Sequence, residues 1–153
     1  MPGWEFVNKN EKNALSKIFK FQKKGIQKPL FYNGKKVKEF EKNFASYVGS
    51  KYAVCVTSGT AAIKIALLAA GVKPKDEVIT QSFTFIAVVE AILDIGAKPI
   101  ITEVDETLNM CPRDLKNKIT KKTKAIIPVH MLGVAAEVDE IKRIAKKNNL
   151  TVI

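Results

Sequence analysis

Residues able to do chemistry are concentrated in four short segments, of which Thr57-Ser58-Gly59-Thr60 is the most suggestive. It precedes an apolar helical stretch, so unpaired backbone N–H groups and two or three hydroxyls face outward together. That arrangement suits a phosphate, which gains from the helix dipole and from donors without a partner inside the helix. The same four residues also read as a plain strand-to-helix turn with a Ser/Thr cap. Gln81-Ser82-Phe83-Thr84-Phe85 brings two aromatics to the start of a second helical pattern. An aromatic at such a place either stacks on a planar ring or packs the helix start, and Phe83 is assigned to the core. The other two segments run from Glu103 to Asp105 and from His130 to Gly133. His130 is the single histidine, and its place after Pro128-Val129 fits a hydrogen-bonded supporting group better than an acid or base.

Several chemistries are excluded by what the chain lacks. One histidine and two distant cysteines, Cys55 and Cys111, furnish neither a metal-ligand set nor a serine–histidine–acid set. No GxGxxG loop follows any strand pattern, which argues against a dinucleotide. The opening Met1-Pro2-Gly3-Trp4-Glu5 has no basic or apolar stretch, so the expectation is a cytoplasmic protein with free thiols. No apolar run approaches the roughly 18 residues of a membrane span, so no membrane partner is expected. The net charge of +11 raises the question of nucleic acid, yet the lysines are spread evenly and no arginine-rich tract appears. Solvated surface ranks first as its explanation, an anionic ligand second and nucleic acid last.

The elements that must position these segments alternate in type. Residues 52–56 read as a buried strand, followed by a helix over 61–70 that closes at Gly71. A strand over 77–80, a helix over 83–95 closed by Gly96, and a strand over 98–102 come next. A short helix over 112–119 with proline in its first turn, a strand over 124–129, and an amphipathic helix over 137–148 follow. A fifth strand begins at 150–153. Strands alternating with helices predict an α/β fold with a largely parallel sheet and helices on both faces. Ahead of it, Val37, Phe40, Phe44 and Tyr47 mark an amphipathic helix over 36–48. Residues 1–34 read as a basic arm with one helix near 13–21, and 35–153 as the main domain. Because Thr151-Val152-Ile153 lies inside what reads as a core strand, truncation is expected: a carboxylate and an open sheet edge sit badly there.

Taken in order, the motifs resemble a known family. Phe40-Glu41, Val48-Gly49-Ser50-Lys51-Tyr52-Ala53-Val54, Thr57-Ser58-Gly59-Thr60-Ala61-Ala62 and Asp76-Glu77-Val78-Ile79-Thr80 lead on to three more. These are Phe83-Thr84-Phe85-Ile86-Ala87, Gly96-Ala97-Lys98-Pro99 and Thr123-Lys124-Ala125-Ile126-Ile127-Pro128-Val129-His130. In this order and spacing they resemble the DegT/DnrJ/EryC1/StrS sugar aminotransferases from about Lys35 to Ile153.

The resemblance implies the fold of aspartate-aminotransferase-like enzymes, pyridoxal 5'-phosphate as cofactor, and a homodimer. The implied reaction moves an amino group from glutamate or glutamine to a keto group of a nucleotide-linked sugar. By resemblance, Gly59, Thr60 and Ala61 hold the cofactor phosphate, Ser58 shapes that turn, and Phe85 stacks on the pyridine ring. Asn33 and Gly34 fall near the substrate-side entry segment. The lysine that forms the Schiff base and the aspartate that holds the pyridine nitrogen are expected beyond Ile153, so this chain alone is expected to be inactive. Three positions depart from the pattern: Lys75 for a glycine in a surface turn, Glu103 for an aspartate, and Val134-Ala135-Ala136 for a more polar stretch. Two alternatives stay open: a deoxysugar dehydratase of the same fold, and a non-catalytic truncated or split gene product.

Overall fold

The computed structural model describes residues 6–20 and 34–153. The chain divides into two units, Met1–Cys55 and Val56–Ile153. In the first, α1 spans Lys9–Lys20 and α2 spans Lys35–Val48. The start of α1 is capped reciprocally: Asn10 N–H donates to the Asn8 side chain, and Asn8 N–H donates to the Glu11 carboxylate, both at 2.8 Å. Helix α2 stops where Gly49 adopts φ 71°, a conformation glycine reaches without steric cost. Its apolar stripe is solvent-exposed, with the Phe40 and Phe44 rings stacked at 5.6 Å between centroids.

The second unit carries the sheet. Its elements in order are α3 (Gly59–Ala69), β1 (Glu77–Gln81), α4 (Ala87–Asp94), β2 (Lys98–Thr102), α5 (Pro112–Lys118), β3 (Thr123–Ile127), α6 (Val138–Lys147) and β4 (Thr151–Val152). The strands pair in the order β2-β1-β3-β4, and every pairing is parallel. All five residues of β1 are buried, as a central strand covered on both faces requires. Side chains alternate across it: Val78 joins one core with Leu67, Val88, Ile92, Ala125 and Ile127, while Ile79 joins the other with Leu115, Ile126, Ile141 and Ile144. Helices α3 and α4 thus cover one face, and α5 and α6 the other. The α/β class and the two-sided arrangement are as the sequence pattern predicts.

One expected strand is absent. Residues 52–56 pair with no other strand among the described residues, and Tyr52 and Val54 are exposed. A strand needs a ladder partner, and here the Cys55 N–H instead donates to the Glu41 carboxylate at 2.8 Å. The described sheet therefore has four strands rather than five. The helix expected over 83–95 starts only at Ala87, because a bend occupies the residues after β1. Among the described residues, no helix is long and apolar enough to cross a membrane.

Candidate functional site

In an open parallel sheet, the place for a ligand is beyond the carboxyl ends of the strands, where connections diverge to opposite sides. Here β1 connects through α4 to β2 on one side, while β3 lies on its other side, so the divergence falls at the ends of β1 and β3. The segments after β1, β2 and β3 form that rim.

The N-terminus of α3 has the character of an anion site. Ser58, extended at φ −161°, caps the helix by accepting from the Ala61 N–H at 3.1 Å. The Ala62 N–H closes the first helical bond on the Ser58 carbonyl. Among the described residues the amides of Gly59 and Thr60 find no acceptor, so these two donors remain at the positive end of an eleven-residue helix. A side chain built on Gly59 would meet nothing within 4 Å, so the space beside this first residue of the helix is open. The turn, the free donors and the space fit a phosphate. The amide of Ala61 is already taken by its cap.

Phe85 lies beyond the end of β1 with 77% of its surface exposed, a ring free to be covered. Phe83, expected in the core, is also exposed: the bend that delays α4 carries it to the surface rather than into the sheet. Gly34 is the N-cap of α2 and provides no side-chain bond, while Asn33 lies outside the described residues. His130 is a supporting group. Its Nδ1 accepts from the Ala136 N–H at 3.0 Å, which leaves Nε2 to carry the proton of the neutral ring. Cys55 and Cys111 are free thiols. No cluster of metal-binding side chains occurs among the described residues.

Gln81 figures in the sequence reading only as the start of a segment and Asn109 not at all, and neither bonding role is in it. Gln81 and Asn109 are fully buried and fully bonded, and both tie rim segments together. A long polar side chain closing the β-branched run Val78-Ile79-Thr80 was the available signal for the first. A lone asparagine in a polar loop gave none for the second.

Near these two residues, Asp105 closes a turn of its own. Its carboxylate accepts from the Thr107 hydroxyl at 2.5 Å, the Thr107 N–H at 2.8 Å and the Asn109 N–H at 3.2 Å. The Thr107 hydroxyl is the chief reason its pKa is held below the ordinary carboxylate range, with the two backbone donors adding to it.

This fold and this site define a parallel-sheet domain with unpaired donors at a helix start, and comparison with known proteins gives it a family. The chain matches the DegT/DnrJ/EryC1/StrS aminotransferase family over residues 14–153, and it belongs to that family. It is 45% identical over 121 residues to the spore coat polysaccharide biosynthesis protein SpsC of Bacillus subtilis, covering 78% of this chain and 31% of that one. It is 41% identical over 147 residues to the UDP-2-acetamido-2-deoxy-3-oxo-D-glucuronate aminotransferase of Pseudomonas aeruginosa, covering 93% and 41%. Its fold superposes on NtdA of Bacillus subtilis, solved with the bound cofactor PMP, with a TM-score of 0.85 and 33% identity over 95% of this chain and 33% of that one. The chain thus spans about a third to two fifths of the length of these relatives.

Proposed function

We propose that the whole protein is a pyridoxal-phosphate-dependent aminotransferase that moves an amino group from glutamate or glutamine to a keto group of a nucleotide-linked sugar. In this reading residues 35–153 are the front portion of the cofactor-binding large domain. The observation that carries the proposal is the start of α3, where the Ser58 cap takes the Ala61 amide and leaves those of Gly59 and Thr60 spare, in a chain of this family. The relative from Pseudomonas supplies the substrate class, a nucleotide-linked oxo sugar, and NtdA supplies the cofactor class.

Each residue then has a definite task. Gly59 and Thr60 donate backbone N–H bonds to the phosphate, and the Thr60 hydroxyl adds a third donor. Ser58 keeps the first turn of α3 wound by holding the Ala61 amide, so the spare donors stay aimed outward. Phe85 covers one face of the pyridine ring and excludes water from it, burying a side chain that folding alone leaves exposed. The cofactor, when bound, supplies the electron sink that transamination requires. The lysine that bonds to it and the aspartate that faces its ring nitrogen lie after Ile153 in this reading. A homodimer and a cytoplasmic address belong to the same proposal.

A substitution at Gly59 separates binding from folding. Gly59→Asp puts its side chain into open space and an acid into the first turn of a helix, so thermal stability is expected to hold. A carboxylate about 4 Å from a phosphate costs enough to weaken cofactor binding by about a hundredfold or more. The measurement is titration of full-length protein with pyridoxal phosphate, followed by its visible absorbance, beside a melting curve. Equal cofactor affinity in both proteins would remove α3 from the site. Product analysis with a keto-sugar nucleotide and glutamate then checks the reaction: an amino sugar supports it, and a deoxygenated sugar points to the dehydratase.

A further inference from the structure

The rim beyond the strands is held in a costly shape. Leu108, after β2, has φ 63°, and Leu132, after β3, has φ 51°. A left-handed conformation is strained for a leucine, and it persists only where neighbouring contacts over-determine it. Two buried carboxamides make those contacts. Gln81 closes β1 with no exposed surface, and its Nε2 donates to the Phe83 and Leu108 carbonyls, each at 3.0 Å. Its Oε1 accepts from the Val129 N–H, also at 3.0 Å. One side chain therefore bonds to segments after β1, β2 and β3. Asn109, equally buried, donates to the Thr107 hydroxyl at 2.8 Å and the Val134 carbonyl at 3.3 Å, and accepts from the Met131 N–H at 2.9 Å. It thus joins the loop of Leu108 to the loop of Leu132.

We infer that Gln81 and Asn109 are positioning residues, a two-carboxamide clasp that presets the rim around the cofactor ring. The inference rests on the function proposed above. The reasoning is one of satisfaction and geometry. An apolar replacement of Gln81 would orphan the Phe83 and Leu108 carbonyls and the Val129 N–H at once, and one of Asn109 would orphan the Val134 carbonyl and the Met131 N–H. Gln81 pins the Phe83 carbonyl, two residues before the aromatic that faces the ring. It also fixes the carbonyl of one strained leucine, and Asn109 fixes the amide that precedes the other. The rim is therefore ordered before any ligand arrives, and ligand binding bears little of the ordering cost.

Hydrogen exchange on the full-length protein tests this without reference to activity. The Val129 and Met131 amides sit in loops yet donate into the carboxamides, so they are expected to exchange slowly in the wild type. Exchange at the rate of an open loop would overturn the clasp outright. Asn109→Leu removes every polar contact of the second node at similar size, the acceptor for Met131 included, and Gln81→Met removes every polar contact of the first. In whichever variant folds, the matching amide is expected to exchange at least about tenfold faster, and pyridoxal phosphate to bind about tenfold more weakly. Ile144→Val, in the core below α6, controls for lost stability alone and is expected to leave both readouts unchanged. Faster exchange with unchanged cofactor affinity would reduce the clasp to a structural role. A wild type with protected amides that binds no cofactor would overturn the proposed function, and the positioning role with it, while the clasp itself stood.

Discussion

Helices α2 and α6 both present a regular apolar stripe, yet only α6 buries its own. Ile141, Ile144 and Ala145 of α6 are buried against Ile79, Leu115 and Ile126. Val37, Phe40, Phe44 and Tyr47 of α2 are exposed. Their ends differ in the same sense. Helix α6 carries Asp139 and Glu140 in its first turn and Lys146 and Lys147 in its last, matching the dipole, whereas α2 has no acid in its first turn and no base in its last. Periodicity reports that a face needs a cover, and only the structure shows whether one is present. Truncating each stripe sharpens this contrast. Ile141→Ala is expected to cost about 2–5 kcal/mol in chemical denaturation of the 153-residue chain, and Phe40→Ala to stay within about 0.5 kcal/mol. Equal losses would break the comparison.

Helices α2 and α3 also differ in how they begin. Helix α3 has Ser58 as a side-chain cap, while α2 begins at Gly34 with none. Ser58→Ala is expected to lower stability by about 1 kcal/mol, read as a fall in melting temperature. The same change frees the Ala61 amide for a third backbone donor at the phosphate turn, so cofactor affinity is expected to fall less than stability does. A loss of affinity as large as that of Gly59→Asp would assign the hydroxyl itself to the phosphate.

How much of this was legible follows the physics of each element. Strands β1, β2 and β3 were readable because β-branched runs bounded by turns have few other fates, and Lys98–Thr102 was placed with its correct ends. The start of α3 was readable because a serine before a glycine and an apolar helix has a local reason to cap. Residues 52–56 misled because their composition is that of a strand, and composition cannot say whether a ladder partner is present. Phe83 misled for a related cause: the bend after β1 changes which side of the chain meets the core. Lys75 carries a φ of 74°, so the turn where the resemblance expects glycine does use the glycine conformation, and lysine bears its strain. The Gln81 and Asn109 clasp was illegible because its partners are backbone groups from three segments brought together only by the fold.

The smallest expected effect lies in the charges that flank the buried face of α6. Glu140 bonds to Lys116 of α5 at 2.9 Å and also to Arg143 one turn along its own helix. Lys116 first and Arg143 second hold its carboxyl below the ordinary range. A carboxylate of lowered pKa adds stability that is present above its unfolded value and is lost as pH falls through its folded value. Stability is therefore expected to drop below the usual carboxylate range in the wild type, and less steeply in Glu140→Gln, the difference shrinking in high salt. Helix α2 offers the contrast, since its Lys36–Glu39 pair is exposed on both sides and joins the helix only to itself. Replacing Glu39 by Gln is expected to leave stability unchanged. An equal change at both positions would mean that the ion pair spanning α5 and α6 contributes no more than one within a single turn.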